Sequence, residues 1–192
     1  QTGGSYGAPR NPSKYMLYSD PFNDYLDSLV QDGVAKEYAD LAVKLSTYAK
    51  HSKYAYIFES TAALCEVLSV KYDLGARTRN AYEKGDKAAL SSLVADYAKT
   101  EKLLEKFYYS FRALWYKDNK PHGFDVQDLR LGGLKQRIAS CRERIEDYVS
   151  GKIKNIPELE EKLLDYYGKG EPFDKETPTV NGWTRNASVN VI

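Results

Sequence analysis

The chain has 192 residues, of which 42% are hydrophobic and 29% charged, a normal composition for a globular protein. Its 28 basic and 27 acidic residues give a formal net charge of +1, so it lacks the basic footprint that nucleic acids and anionic membranes attract. No apolar run approaches the ~20 residues that cross a bilayer, and the first residues do not form a signal peptide. We expect one domain with no nucleic-acid or membrane partner; the compartment stays open, with the cytoplasm slightly favoured.

The two ends of the chain differ in composition from its middle. Residues 1–13 are rich in glycine, serine, proline and asparagine, which is typical of a flexible lead-in. We therefore expect a single domain over residues 14–192, with its helices at about 20–168. Beyond Gly168 the loose alternation of residue types favours an extended C-terminal arm over residues 169–192.

A short helix is predicted at the start of the domain. We expect residues 15–18 to run extended. Asp20 is then a good N-cap and Pro21 suits the first helical position. This helix should end near Gly33.

Two helical patterns follow. Apolar residues of the first recur at intervals of four, three, four and three, which indicates a helix with a narrow buried stripe. They are Val34, Tyr38, Leu41, Leu45 and Tyr48. A break is expected near His51 and Ser52. The second pattern has a wider apolar face and predicts one helix over residues 54–82, with Gly75 as a weak point and Gly85 at its end.

Two further long helices are predicted on either side of a corner. Asp86 should cap a helix that ends at the proline and glycine of residues 121–123. Another should begin behind Asp125 and run to Gly151. A last short helix, with Pro157 at its first position, should end at Gly168. The sequence therefore predicts an all-α antiparallel bundle of about four long and two short helices, with extended N- and C-terminal arms.

Gly132 and Gly133 lie inside one of these helical patterns. A glycine in the middle of a helix costs about 1 kcal/mol relative to alanine. The usual reason to keep one is that another backbone passes close by. We therefore expect such a close approach at this pair.

The sequence offers little catalytic chemistry. It has no phosphate-binding glycine loop, nucleophile elbow or zinc motif. Its only histidines are His51 and His122, so we expect no metal and no cofactor. Cys65 and Cys141 fall on apolar stripes and are interpreted as reduced core residues. The adjacent acids at residues 146–147 lie about 100° apart on a helix and cannot converge on one substrate atom.

The best candidates for a substrate-binding surface are Trp115, Tyr116 and His122. Aromatic rings at a helix end, beside the corner, could stack on a sugar ring or a partner. The alternative is that they close the end of the core, which is the commoner role of such rings. Arg130 could bind a ligand carboxylate, or it could tie a helix end or an acid elsewhere in the protein. Trp183 could be a ligand platform or an anchor for the C-terminal arm.

Several motifs resemble one known family. They are Asn-Pro-Ser-Lys-Tyr at residues 11–15, Leu-Tyr-Ser-Asp-Pro at 17–21, Lys-Pro-His-Gly-Phe-Asp at 120–125 and Arg-Leu-Gly-Gly-Leu at 130–134. The Ile-Pro-Glu-Leu run at 156–159 also fits. In this order they are similar to the C-terminal helical domain of a bacterial branch of glycoside hydrolase family 20, the β-N-acetylhexosaminidases.

The resemblance implies a parent enzyme that removes terminal N-acetylglucosamine or N-acetylgalactosamine. Such enzymes use an adjacent Asp-Glu pair at the mouth of a catalytic barrel, and the substrate's own acetamido group as nucleophile. This chain has no Asp-Glu dipeptide, so the resemblance gives it no catalytic residue. The implied partner is the catalytic barrel of the same polypeptide, which the domain would buttress, and a homodimer is a further possibility. The alternative is a free-standing helical module that binds a protein partner through a tyrosine-rich groove.

Overall fold

The computed structural model describes residues 16–23, 27 and 30–161. Within them lie six helices: α1 (Val34–Ala49), α2 (Ala55–Lys71), α3 (Leu74–Glu83), α4 (Lys87–Asp118), α5 (Phe124–Val149) and α6 (Pro157–Glu160). The described residues contain no strand, and the predicted all-α helical bundle is confirmed. None of these helices combines the length and the apolar character needed to span a membrane. The predicted lead-in at residues 1–13 and the predicted C-terminal arm at 169–192 lie outside the described residues.

The 32-residue helix α4 is the axis of the bundle. Helices α2, α3 and α5 pack against it, and α1 packs on α2. The centre of the core is fully buried, with Leu68, Leu90, Tyr97, Leu104, Leu134, Ile138 and Ile145 at 2% exposure or less. The predicted buried stripe of α1 is only partly buried, since Leu41 is 42% exposed and Tyr48 61% exposed. This helix packs mainly against one neighbour, so only one side of its stripe is covered.

The predicted capping residues lie at the predicted helix ends. The Asp86 carboxylate accepts a hydrogen bond from the Ala89 backbone N–H at 2.9 Å, as an N-cap should. At the corner, Gly123 has a φ of 104°, a conformation that glycine adopts without a steric penalty. Helix α5 begins directly after it at Phe124, with Asp125 inside the first turn rather than before it.

The single helix predicted over residues 54–82 is wrong. The chain bends at Tyr72 and Asp73, which separates α2 from α3. The bend gives Gly75 a position where another backbone passes: a Cβ on this residue would lie 3.0 Å from the carbonyl oxygen of Pro21. The close approach of the Pro21 backbone therefore explains why a glycine occupies position 75 of this helix.

The close approach expected at the Gly132–Gly133 pair is not found at Gly132. Both glycines lie on the exposed side of α5. A Cβ added to Gly132 would meet nothing within 4 Å. No close contact among the described residues therefore explains the glycine at position 132.

The start of the domain also departs from expectation. Residues 16–18 form a helical turn, not an extended segment, and all three are buried. The Asp20 carboxylate accepts a hydrogen bond from the Phe22 backbone N–H at 2.9 Å, so Asp20 does cap the turn that follows. Much of the helix predicted between Pro21 and Gly33 lies outside the described residues.

Candidate functional site

Trp115 closes the end of the bundle. Its indole N–H donates a hydrogen bond of 2.9 Å to the carbonyl oxygen of Lys120, and its ring lies edge-on to Phe124 with centroids 5.8 Å apart. A Cβ on Gly123 would lie 3.2 Å from the indole ring. Trp115 is half-buried, and its indole N–H and its contact with Phe124 are both made within the corner, which favours the interpretation as a core-closing residue.

Tyr116 and His122 stay on the surface beside it. Tyr116 is 51% exposed, with one side against the buried ring of Phe124 at 5.6 Å. The guanidinium of Arg112 lies 5.8 Å from the centre of the Tyr116 ring. His122 is exposed. Beside Trp115 the corner therefore presents the accessible ring of Tyr116, with the Arg112 guanidinium next to it, and the exposed imidazole of His122, a set that can support stacking on a ligand.

The remaining candidates have structural partners. Glu146 accepts a hydrogen bond from Arg142 at 2.9 Å, and Asp147 pairs with Lys152 at 2.9 Å. The two adjacent acids therefore bind different cations, as their spacing predicted. The charge of Arg130 lies close enough to Tyr18 to oppose the rise in the pKa of this tyrosine that burial causes. Trp183 lies outside the described residues.

The most organised polar cluster of the described residues was not predicted. It surrounds residues 16–22, which we call the junction segment. At its centre, Lys71 is only 2% exposed. Its ammonium group donates to the carbonyl oxygens of Met16 at 2.9 Å and Ser19 at 2.6 Å, and to the hydroxyl of Ser19 at 3.1 Å. All three donors of the lysine are thereby used on one short segment.

A second cation holds the same segment from α5. The guanidinium of Arg137 donates two hydrogen bonds to the Asp20 carboxylate, at 2.8 and 3.2 Å. It also lies 5.4 Å from the centre of the Phe22 ring, and Phe22 is 2% exposed. Paired bonds of this type fix orientation as well as distance. The junction segment is therefore held by α2 on one side and α5 on the other.

Burial perturbs the ionisable groups around the junction segment. Removal from water lowers the pKa of Lys71 to about 7, against the opposing effect of the nearby Asp20 charge. Burial raises the pKa of the Cys141 thiol to about 12, so this cysteine is protonated and unreactive at neutral pH. Tyr97 is also raised well above its usual pKa by burial, and its hydroxyl bonds Thr78 at 3.0 Å. The cavity beside this cluster, lined by Ser19, Asp20 and Lys71 among others, has a volume of about 20 Å³, which is room for a water molecule and not for a sugar.

One signal in the sequence could have identified this cluster. The positions Ile57, Thr61, Leu64 and Leu68 recur at intervals of four, three and four, and the next step of three reaches Lys71. Ile57 and Thr61 are exposed, but the row becomes buried at Leu68, directly before Lys71. A lysine that continues a buried stripe needs oxygen partners in the core. The identity of those partners, 52 to 55 residues away, depends on the tertiary fold.

No group of three or more histidine, cysteine, aspartate or glutamate side chains that could hold a metal ion occurs among the described residues. The described part of the chain is a helical bundle in which Lys71 and Arg137 bind the junction segment. This arrangement defines an all-α helical domain.

The chain matches the sequence model of the Glycoside Hydrolase 20C C-terminal domain over residues 5–177 and belongs to this family. The resemblance noted in the sequence is thereby confirmed. No curated relative matches the chain. A C-terminal domain of a glycoside hydrolase implies a catalytic domain on the same polypeptide.

Proposed function

We propose that this chain is the non-catalytic C-terminal domain of an exo-acting β-N-acetylhexosaminidase and that it buttresses the catalytic barrel. The observation that carries the proposal is the clamp on the junction segment by Lys71 and Arg137. In a C-terminal domain, the chain arrives from the catalytic domain at this end. A segment held by the amine of Lys71 and the guanidinium of Arg137 would transmit the position of one domain to the other.

The contacts of the acidic residues also support a structural role for this domain and a catalytic role for the barrel. Outside the junction, the acids examined as possible catalysts pair with arginine or lysine, as Glu146 does with Arg142. The accessible ring of Tyr116 could still contribute to the rim of a sugar site. In the proposed arrangement the catalytic acid and the carboxylate that orients the substrate belong to the barrel, while this domain contributes stability and at most a stacking contact.

The test compares two proteins on an aryl N-acetyl-β-glucosaminide. The whole polypeptide, with its catalytic domain, is expected to release the aryl alcohol, whereas this 192-residue chain alone should give no turnover above background. Turnover by the 192-residue chain would contradict the proposed role. A whole polypeptide that cleaves other glycosides but no N-acetylhexosaminide would contradict the substrate class.

The proposed contact with sugar can be separated from the structural role. Tyr116→Ala in the whole polypeptide should raise KM for an oligosaccharide more than for the small aryl glycoside if the ring reaches the substrate. An unchanged KM for both substrates would show that Tyr116 does not contact the sugar. Light scattering of the whole polypeptide tests the homodimer, which the resemblance leaves as a possibility.

A further inference from the structure

The exposed side of α5 carries apolar surface that the described residues do not cover. Leu129 is 78% exposed and Val126 is 42% exposed. Gly132 and Gly133 are exposed one turn further along the helix. At 100° per residue these four positions fall within about a third of the helix circumference. We call this surface the glycine–leucine face.

This face is costly for the domain taken alone. The two glycines cost about 1 kcal/mol each in helix stability, and nothing lies within 4 Å of a Cβ placed on Gly132. An aliphatic side chain such as Leu129, unlike the exposed tyrosines, has no polar tip to place in water. Apolar side chains beside a pair of glycines form a surface on which another backbone can lie closely.

The position of the face indicates what covers it. Arg137, one turn beyond Gly133 on the same helix, binds Asp20 of the junction segment. Arg130, which lies between Leu129 and Gly133 in the chain, is close to the buried Tyr18. The junction segment, where the described part of the chain begins, therefore lies against α5 directly beside the glycine–leucine face.

We infer that the catalytic domain of the same polypeptide packs on the glycine–leucine face. The inference rests on the proposed function and specifies which side of the bundle the barrel covers. The complementary surface is apolar and brings a backbone segment against Gly132 and Gly133, with a side chain or a pocket that receives Leu129. A second copy of this chain is the competing occupant, and the test distinguishes the two.

The test measures thiol accessibility in the whole polypeptide. Leu129→Cys places a thiol on the face, and Val43→Cys places one on α1, where the native side chain is 68% exposed. The native Cys65 and Cys141 are buried and free, so they contribute little to the rate. Maleimide is expected to label Leu129→Cys at least about tenfold more slowly than Val43→Cys, at every protein concentration. Val43, on the exposed side of the middle of α1, thus serves as the matched open position.

Two results would overturn the inference. Equal labelling rates at the two positions would show that the glycine–leucine face is open in the whole polypeptide. Slow labelling of Leu129→Cys that becomes fast on dilution, together with a dimer in light scattering, would assign the face to a second copy. Hydrolysis of an aryl N-acetylhexosaminide, measured on the same variants, reports on the proposed function separately. Hydrolysis of the aryl N-acetylhexosaminide together with equal labelling of Leu129→Cys and Val43→Cys would reject the assignment of this face and leave the proposed function intact.

Discussion

The corner at residues 121–123 and the junction segment at residues 16–22 are stabilised in opposite ways. The corner is held by partners close in sequence, such as the bond from Trp115 to Lys120, five residues away. The junction segment is held by Lys71 and Arg137, with the bond from Arg137 to Asp20 spanning 117 residues. A locally stabilised corner is distinctive in the sequence, whereas a junction made of long-range contacts becomes visible only in the fold.

The largest expected effect lies at the corner. Phe124 is 1% exposed and lies within 5.8 Å, centroid to centroid, of Tyr108, Phe111, Trp115 and Tyr116. Phe124→Ala should lower the free energy of unfolding by about 3–5 kcal/mol because it leaves a cavity among these rings. Urea denaturation measures the change. Tyr109→Ala, at a position 57% exposed, is the control and should cost less than about 1 kcal/mol; equal losses would contradict the described packing.

The junction should differ from the corner in its dependence on pH. Because the folded pKa of Lys71 is about 7 and the unfolded value is about 10.4, the unfolded chain binds the proton more tightly between these values. Stability should therefore rise with pH across this window, by about 2 kcal/mol between pH 7 and 9. Lys71→Met lacks the titrating group. The difference in unfolding free energy between the native chain and this variant, taken at each pH, therefore gives the contribution of Lys71 alone. A difference that stays constant from pH 7 to 9 would show that the lysine remains charged.

Two helical glycines should respond to alanine with opposite signs. Gly75→Ala places a Cβ 3.0 Å from the backbone of Pro21 and should destabilise the domain by about 1 kcal/mol, since the junction segment must shift. Gly132→Ala meets nothing within 4 Å and should stabilise it by about 0.5–1 kcal/mol. Thermal melting of the 192-residue chain measures both. Changes of the same sign would contradict the close approach at Gly75.

The smallest effect concerns the polar edge of the corner. Trp115→Phe removes the donor to the Lys120 carbonyl oxygen but keeps an aromatic ring beside Phe124. A loss of about 0.5–1.5 kcal/mol is expected, the usual value of one hydrogen bond. A melting temperature identical to that of the native chain would mean that the indole N–H contributes nothing to the corner.

The helices and most of their ends could be predicted from the sequence because capping and periodicity are local properties. Asp86 and Gly123 are examples: the Asp86 carboxylate accepts a hydrogen bond from Ala89, and the Gly123 N–H donates one to Asp125. Each bond joins residues at most three positions apart. The bend at Tyr72 could not be predicted in this way, because the contact that accompanies it, between Gly75 and Pro21, joins residues far apart in the chain. The cost of the Gly132–Gly133 pair was recognised, but the neighbour expected at Gly132 does not lie within the described residues.

The candidate site shows the same division. The aromatic residues at the corner were identified from composition, and the alternative role proposed for Trp115, closing the core, agrees with its contacts. Lys71 was overlooked because a lysine near the end of a helix is usually solvated. Its role depends on carbonyl oxygens more than 50 residues away, which no local pattern specifies.

The most direct test of the account compares two arginines of α5 in the whole polypeptide. Arg137 binds Asp20 of the junction segment, whereas Arg142 pairs with Glu101 and Glu146 inside the bundle. Both variants, Arg137→Ala and Arg142→Ala, should keep the initial rate of hydrolysis. Only Arg137→Ala is predicted to shorten the half-life of activity at elevated temperature several-fold, because it separates the bundle from the barrel. Equal half-lives for the two variants would contradict the claim that the junction transmits stability to the catalytic domain.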